Sequence, residues 1–295
     1  MAWAGQTWIE FISETTYGVF NSGGSTFYPR LYQGNSFTPR RTVMRQVIRS
    51  ADAGNRRIQV VANRQQISGT LKTLFYPTQA GYVLNAATQL TSNILPSYSC
   101  LYWDSIQAWK LLGGRVSALR LSSNANQDYV SLEMDWIFQS RDDTFTTFAQ
   151  PAESVYPTEN PYCHVDTKTN ITLATVAVTK YKQIDVTLTN ILQPTWDEGK
   201  IISDALYCGR DFNFSLIPQY TAATYRQDYE QQTPLAWSIG WANAVPHSVT
   251  IDGKASGYID SVADDLPLDG PGYQTLANQL FFDKTATTDF AITVV

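Results

Sequence analysis

Cys163, His164 and Asp166 stand together in the fragment CHVD, a combination that elsewhere ligates a metal or sets up a thiol nucleophile. A structural metal site needs four ligands, and a nucleophile needs a base within reach. Neither is on offer here, because the one other histidine is His247 and no second Cys/His cluster exists. Both histidines read as loop residues. Asp260, Asp264, Asp265 and Asp269 (DSVADDLPLDG) are dense enough for a calcium-type site. They lack the alternate spacing and terminal Glu of a calcium-binding loop, and read as a solvated acidic loop. Gly23 and Gly24 are followed by no GKS or GKT, so they mark a flexible turn and not a phosphate loop. Glu133 and Asp135 lie on the polar side of a strand pattern, and without a cleft they do not argue for glycoside hydrolysis. No catalytic residue, cofactor or metal is expected, and the chain does not read as an enzyme.

The residues that do stand out are arginines. Between positions 30 and 72 the chain carries Arg30, Arg40, Arg41, Arg45, Arg49, Arg56, Arg57, Arg64 and Lys72 against Asp52 alone. Residues 1–150 hold 13 Lys+Arg and 9 Asp+Glu, and residues 151–295 hold 8 and 17, so the formal net charge of −5 hides two halves of opposite sign. The segment FTPRRTVMRQVIRSADAGNRRIQVVANRQQ has no helix-turn-helix pattern. It reads as a long β-hairpin, Arg40–Arg49 and Arg56–Arg64, closing near ADAGN. Such an arm could bind phosphates without regard to sequence, dock on an acidic surface of the same protein, or simply be solvated. A long hairpin is a poor independent structure, so a partner is expected to cover it.

Length and composition set the frame for these residues. A chain of 295 residues suits one large domain or two of about 150. Hydrophobic residues at 43% and aromatics at 13% exclude disorder, and 16% charged residues is low for a globular chain. Cys100, Cys163 and Cys208 are odd in number and show no CxxC spacing, which argues against a disulfide framework and for a reducing compartment. The opening MAWAGQTWIEF has no basic and apolar leader pattern, and no apolar run approaches the 18 or so residues of a spanning helix. A soluble protein made in the cytoplasm is expected.

Strand patterns dominate. Val130, Leu132, Met134, Trp136 and Phe138 alternate with Ser131, Glu133, Asp135 and Ile137; Ile184, Val186 and Leu188, then Phe212, Phe214 and Leu216, and finally Phe290, Ile292 and Val294 recur with the same period of two. Helix signals are few. One follows Pro77, from Thr78 to about residue 90. A second runs from about Thr221 to Glu230, and a weaker third from Tyr273 to Phe281. The stretch 151–170, with Pro151, Pro157 and Pro161, reads as a linker or crossover.

The order of elements repeats across that linker. ISGTLKTLFY, the Thr78 helix, PSYSCLYWDS, RVSALRLSS and DYVSLEMDWIF are matched by DFNFSLIPQY, the Tyr225 helix, PLAWSIGWAN, SVTIDGKAS and DFAITVV, with Pro96 and Trp103 answering Pro234 and Trp241. The expected fold is therefore mainly β: two tandem β-sandwich domains, 1–150 and 171–295, each with a flanking helix, the first carrying the Arg-rich arm.

The pieces ETTYGVFNSGG, FTPRR with IRS, ISGTLKTLFYPTQAGYVLNAAT, SYSCLYWDS and GGRVSALRLSSN…VSLEMDWIF, taken in order over residues 10–140, resemble the major tail tube proteins of long non-contractile-tailed, siphovirus-type bacteriophages. From VTLTNILQP onward the chain is similar to the second domain of two-domain members. The resemblance implies β-sandwich domains whose inner strands close into a continuous β-barrel between subunits. It implies homotrimeric, pseudo-sixfold rings that stack head to tail into the virion's tail tube. The expected partners are further copies of the chain, the tape measure protein in the lumen, and the tail terminator and distal tail proteins at the ends. Genomic DNA passes through without sequence-specific binding, and no membrane is entered. On this reading Arg40, Arg41, Arg45, Arg49, Arg56, Arg57 and Arg64 make inter-subunit or inter-ring contacts, with Asp260, Asp264, Asp265 and Asp269 as a complementary acidic loop. The helices at 78–90 and 221–230 face outward. Two rival readings are a carbohydrate-binding β-sandwich, for which the aromatics argue, and a tail or head completion protein that forms one ring and does not polymerise.

Overall fold

The structure is a computed structural model. It describes residues 7–294 apart from 32–36, 51–55, 127–128, 165–170, 174–175, 197–199, 221–223, 244–246, 266–270 and 281–289. The first half carries eight strands and a helix: β1 (Trp8–Ser13), β2 (Thr26–Phe27), β3 (Phe37–Ser50), β4 (Arg56–Leu74), α1 (Pro77–Thr88), β5 (Tyr98–Trp103), β6 (Ala108–Asn124), β7 (Ser131–Phe138) and β8 (Ser140–Arg141). The second half carries β9 (Thr172–Leu173), β10 (Val176–Ala177), β11 (Tyr181–Thr195), β12 (Asp204–Pro218), α2 (Thr224–Gln231), β13 (Leu235–Ala242), β14 (Ser248–Asp265), β15 (Tyr273–Leu280) and β16 (Phe290–Val294).

The two halves pair their strands in the same order. The first runs β3-β4-β7-β6-β5-β1-β2 with β8 on β6; the second runs β11-β12-β15-β14-β13-β9-β10 with β16 on β14, all antiparallel. Their irregularities coincide as well. Against β7, β6 skips Ser117; against β15, β14 skips Asp260. Against β3, β4 skips Asn63; against β11, β12 skips Cys208. These two pairs of bulges fix the correspondence independently, and they agree. Counting from Ser117 and Asp260 puts Met134 in the place of Leu276. Counting from Asn63 and Cys208, through Leu71 and Leu216, gives the same match. Bulges bend and re-aim strands, so shared positions mean shared shape.

Alternation explains what each strand buries. Leu132, Met134, Trp136 and Phe138 point into the core, as do Ile184, Val186 and Leu188, and Phe212, Phe214 and Leu216. The sheets face one another through aromatic contacts: Phe11 of β1 stacks on Trp136 of β7 at 4.7 Å between ring centroids, and Phe214 of β12 meets Trp237 of β13 at 4.7 Å. Helix α1 lays Ala80, Val83, Leu84, Ala86 and Ala87 against this core. Glycine is required where β5 and β13 shift register. A Cβ on Gly114 would sit 2.9 Å from the Tyr98 carbonyl oxygen, and one on Gly257 3.1 Å from that of Leu235.

Four expectations need correction. Tyr273–Leu280 is a strand, not a helix. Its inward positions are Gln274, Leu276 and Asn278, so the apolar alternation that marks the other strands is missing. That strand, and not DFAITVV, is the counterpart of VSLEMDWIF; the final strand β16 corresponds to β8 instead. The Pro96–Trp103 match to Pro234–Trp241 is one residue out of register. Tyr98 pairs with Gly114 as Leu235 pairs with Gly257, so Trp103 and Trp241 fall on opposite faces. Trp241 is fully buried against Phe75, whereas Trp103 stacks on Trp8 nearer the surface. Finally, Asp260, Asp264 and Asp265 lie on strand β14 and not in a loop; Asp269 falls outside the described residues.

The crossover is built in. Tyr162 is buried, donates its N–H to the Phe75 carbonyl at 2.9 Å and accepts from Val130 N–H at 2.8 Å, so it extends the sheet between the ends of β4 and β7. Glu159 accepts hydrogen bonds from the Thr78 backbone N–H at 3.1 Å and from the Thr78 hydroxyl, which caps the start of α1. Burial pushes the Glu159 carboxyl up, but the bonds from Thr78, together with those from the Glu159 and Thr158 backbone, outweigh it and hold it below the ordinary range. His164 bonds the Ser123 hydroxyl through Nδ1 at 2.9 Å and packs on Tyr181, a structural role at this junction.

Candidate functional site: a seam, a polar face and an arm

The two halves meet edge to edge. β11 pairs with β6 over seven residue pairs, from Gln183–Asn124 to Thr189–Ala118. On the inner side of this seam Leu119 lies opposite Leu188, and Leu121 opposite Val186, all buried. On the outer side the Ser122 hydroxyl donates to the Asp185 carboxylate. Asn190 is buried at the end of the seam. Its Nδ2 donates to the Ala87 carbonyl at 2.8 Å and to the Val116 carbonyl at 3.0 Å, so one amide ties α1, β6 and β11 together. Arg115 lies just beyond the same end of the seam, next to Val116. It is buried, lies over the Tyr17 ring at 4.3 Å, and pairs with Asp204 at 2.6 Å.

Sequence reasoning missed both seam residues. Asn190 follows Ile184, Val186 and Leu188 at the next inward position, and a polar residue there was the available signal. Arg115 gave none, because the bulge at Ser117 breaks the alternation beside it.

One face of the joined sheet buries the core; the other is polar. On it Lys72 bonds Glu133 at 3.0 Å, Arg120 reaches Glu133 at 2.6 Å and Asp135 at 3.1 Å, and Thr70 donates to Asp135 at 2.7 Å. Asp185, Thr187, Asn213, Ser215, Asp260 and Gln279 line an open dish of about 360 Å³ on the same face. Among the described residues its carboxylates Glu133, Asp135, Asp185, Asp211, Asp260 and Asp265 outnumber Lys72, Arg120 and Arg40. Glu133 and Asp135 thus act as partners in an ion-pair network. The surface is broad, shallow and rich in hydroxyl and amide groups. Among the described residues no cluster of His, Cys, Asp or Glu could hold a metal ion.

The Arg-rich segment is the hairpin expected, β3 and β4, with Arg40 opposite Ser68 and Arg49 opposite Arg57. Beyond Ile67 it leaves the sheet, since β7 pairs with β4 over Ile67–Leu74. Its turn, 51–55, lies outside the described residues. The base of the arm is already engaged. Arg64 lies 5.0 Å over the Trp196 ring, Gln65 N–H donates to the Lys200 carbonyl at 2.8 Å, and Arg41 bonds the Gln65 side chain. Arg40 is exposed. The partner of the arm at its base is a second hairpin, β11–β12, that occupies the corresponding place in the other half and that the sequence did not announce. On the acidic side, Asp264 pairs with Arg226 of α2 and accepts from Gln274 at 2.9 Å. Cys100 is buried, Cys163 partly so and Cys208 exposed, and none of the three is in a disulfide bond. Burial raises the Cys100 thiol well above its ordinary value.

No helix among the described residues is long and apolar enough to cross a membrane. No curated protein matches the chain. The family model for the phage tail tube protein matches residues 9–291, nearly the whole chain and both of its halves. A broad polar sheet face, an edge-to-edge seam and a projecting arm are features of an assembly subunit, and this chain belongs to the phage tail tube protein family.

Proposed function

We propose that three copies of this chain close side by side into a ring with six near-equivalent positions, and that such rings stack into the tail tube of a siphovirus-type phage. The observation that carries this reading is the repeated strand order, joined edge to edge through β6 and β11. One chain thereby supplies two adjacent tube-type domains, 1–150 and 171–295, linked by the crossover 151–170. Repeating the seam between chains closes the sheet into a barrel and leaves no strand edge exposed. The polar face then lines the channel, which holds the tape measure protein and later passes the genome. Its excess of carboxylates suits a conduit, because a cationic wall would bind phosphates. Helices α1 and α2 lie on the outside, α1 on the core face opposite the channel. Terminator and distal tail proteins cap the ends, and assembly takes place in the host cytoplasm.

The arm supplies the contact between rings. Head-to-tail stacking is a heterologous contact and propagates without limit. The excess of arginine along the arm's sequence favours an acidic surface over it, since complementary charge sets partner and register. The test is Arg45→Glu with Arg49→Glu, compared with the parent by sedimentation and electron microscopy. Rings that form but do not stack are expected; tubes of normal length would contradict the arm's role.

A further inference from the structure

We propose that the chain binds a second copy of itself by pairing the end of β14 with β3 of the neighbour, Ser261 opposite Thr42, Val262 opposite Arg41, Ala263 opposite Arg40, Asp264 opposite Pro39 and Asp265 opposite Thr38. The inference rests on the reading of the chain as a ring-forming subunit, and adds which edges meet and in what register. Among the described residues both edges are unpaired in the single chain. β3 pairs with β4 alone, and beyond Gly257 β14 pairs with β15 alone.

The register comes from the duplication. The bulges place Ala118–Ser122 of β6 on Ser261–Asp265 of β14, and Asp185–Thr189 of β11 on Thr38–Thr42 of β3. The β6–β11 seam is therefore a template for a β14–β3 seam, residue for residue.

The side chains support the transfer. In the internal seam a hydroxyl on β6, Ser122, bonds a carboxylate on β11, Asp185. In the proposed seam the carboxylate is on the first strand, Asp265, and the hydroxyl on the second, Thr38, so the same bond forms with donor and acceptor exchanged. Arg120 opposite Thr187 likewise becomes Ala263 opposite Arg40, the single cation again moved to the other strand. Arg40 then lies diagonal to Asp265 on the polar face, and Arg41 diagonal to Asp264 on the other. Cross-strand pairs of opposite charge stabilise a sheet at such spacings, and complementary charge sets register. Both strands have their faces fixed by β4 and β15, so a slip of one residue would set the face of Thr38, Arg40 and Thr42 beside the opposite face of β14, that of Val262 and Asp264. A slip of two keeps the faces and sets Asp265 directly opposite Arg40; it is the register to exclude. Pro39 has no N–H, so the ladder lacks one bond at its pair with Asp264. The seam also lacks its lock, since Val43 takes the place of Asn190.

The test uses cysteine pairs in a Cys208→Ser chain. Directly opposite residues lie within disulfide reach and diagonal ones do not. Neighbouring pairs alternate between wide and narrow geometry, so two are needed: Thr42→Cys with Ser261→Cys, and Arg40→Cys with Ala263→Cys. Thr42→Cys with Ala263→Cys reports the slipped register. On oxidation of the assembled protein at least one matched pair is expected to give covalent dimers and trimers, roughly fivefold more than the slipped pair, as the reach limit implies. Equal or greater linkage of the slipped pair in assembled rings would overturn the register and leave ring formation standing. Single copies at every concentration would overturn both. Hydrogen exchange on the unaltered chain is the second measurement: amides at 38, 40–42 and 261–265, taken as two segments, should gain protection on assembly, and unchanged exchange in both would refute the seam.

Discussion

Replacing Asn190 by Leu tests the internal seam where it is most concentrated. The side chain is buried, and its two donated bonds serve the Ala87 carbonyl at the end of α1 and the Val116 carbonyl of β6. Leucine is close in size, so the change removes the bonds and leaves little cavity. Each buried carbonyl left without a donor costs about 1–3 kcal/mol. The Asn190 Oδ1 has no hydrogen-bond partner among the described residues, so its removal offsets part of the loss. The net cost is about 2–3 kcal/mol, taking each carbonyl near the middle of that range. A change of this size lowers Tm by roughly 3–5 °C, at an unfolding entropy of about 2.1 cal/mol/K per residue over 295 residues. The assay is thermal and urea unfolding followed by tryptophan fluorescence, at concentrations where the chain is unassembled. Asn213→Ala, on the exposed polar face, is the control and should stay within about 0.5 kcal/mol of the parent. An Asn190→Leu chain that melts within about 1 °C of the parent would contradict this role of the amide, since roughly 1.6 °C per kcal/mol is expected at this chain length.

The cap of α1 and the packing at two glycines give three further outcomes. Glu159 titrates below the ordinary carboxylate range in the folded chain, so its stabilisation is present above the unfolded carboxylate pKa and is lost as pH falls through the folded value. Glu159→Ala should therefore cost about 0.5–2 kcal/mol at pH 7, with the gap to the parent closing toward pH 3; a gap that stays constant on acidification would contradict the cap. Gly114→Ala places a Cβ 2.5 Å from Phe138 and 2.9 Å from the Tyr98 carbonyl oxygen, and should cost about 1–3 kcal/mol. Gly81→Ala in α1 meets nothing nearer than 3.9 Å and should gain about 0.5–1 kcal/mol. Urea midpoints measure both, and a gain at Gly114 or a loss at Gly81 would be wrong for this packing.

Strands with an apolar inward face were legible, because alternation is a direct record of burial: β7, β11 and β12 follow it closely. Strand β15 was not, because its inward positions are Gln274 and Asn278 around Leu276. That one hidden strand also misplaced the end of the repeat, and the Trp landmark was misleading because a shift of one residue changes the face without changing the pattern. Helix α1 was legible from Pro77 and the spacing of Ala80, Val83, Leu84 and Ala87. The duplication was visible as an order of elements, but its proof lies in bulges, which have no sequence signature at Ser117 or Asp260. The arm was legible as a hairpin because of its charge and length. Its contacts with Trp196 and Lys200 were not, since they depend on how two hairpins from distant parts of the chain lie side by side. Asp264 looked like a solvated acid and is instead held by Arg226 and Gln274.

The central claim is that one chain fills two adjacent positions in a closed ring. Electron microscopy of the purified protein across a concentration series, with the mass of each ring weighed in parallel, tests it most directly. The account predicts rings and tubes with an open channel, six similar lobes around it and a mass of three chains. Rings of six chains, or single copies without a channel at every concentration, would contradict it.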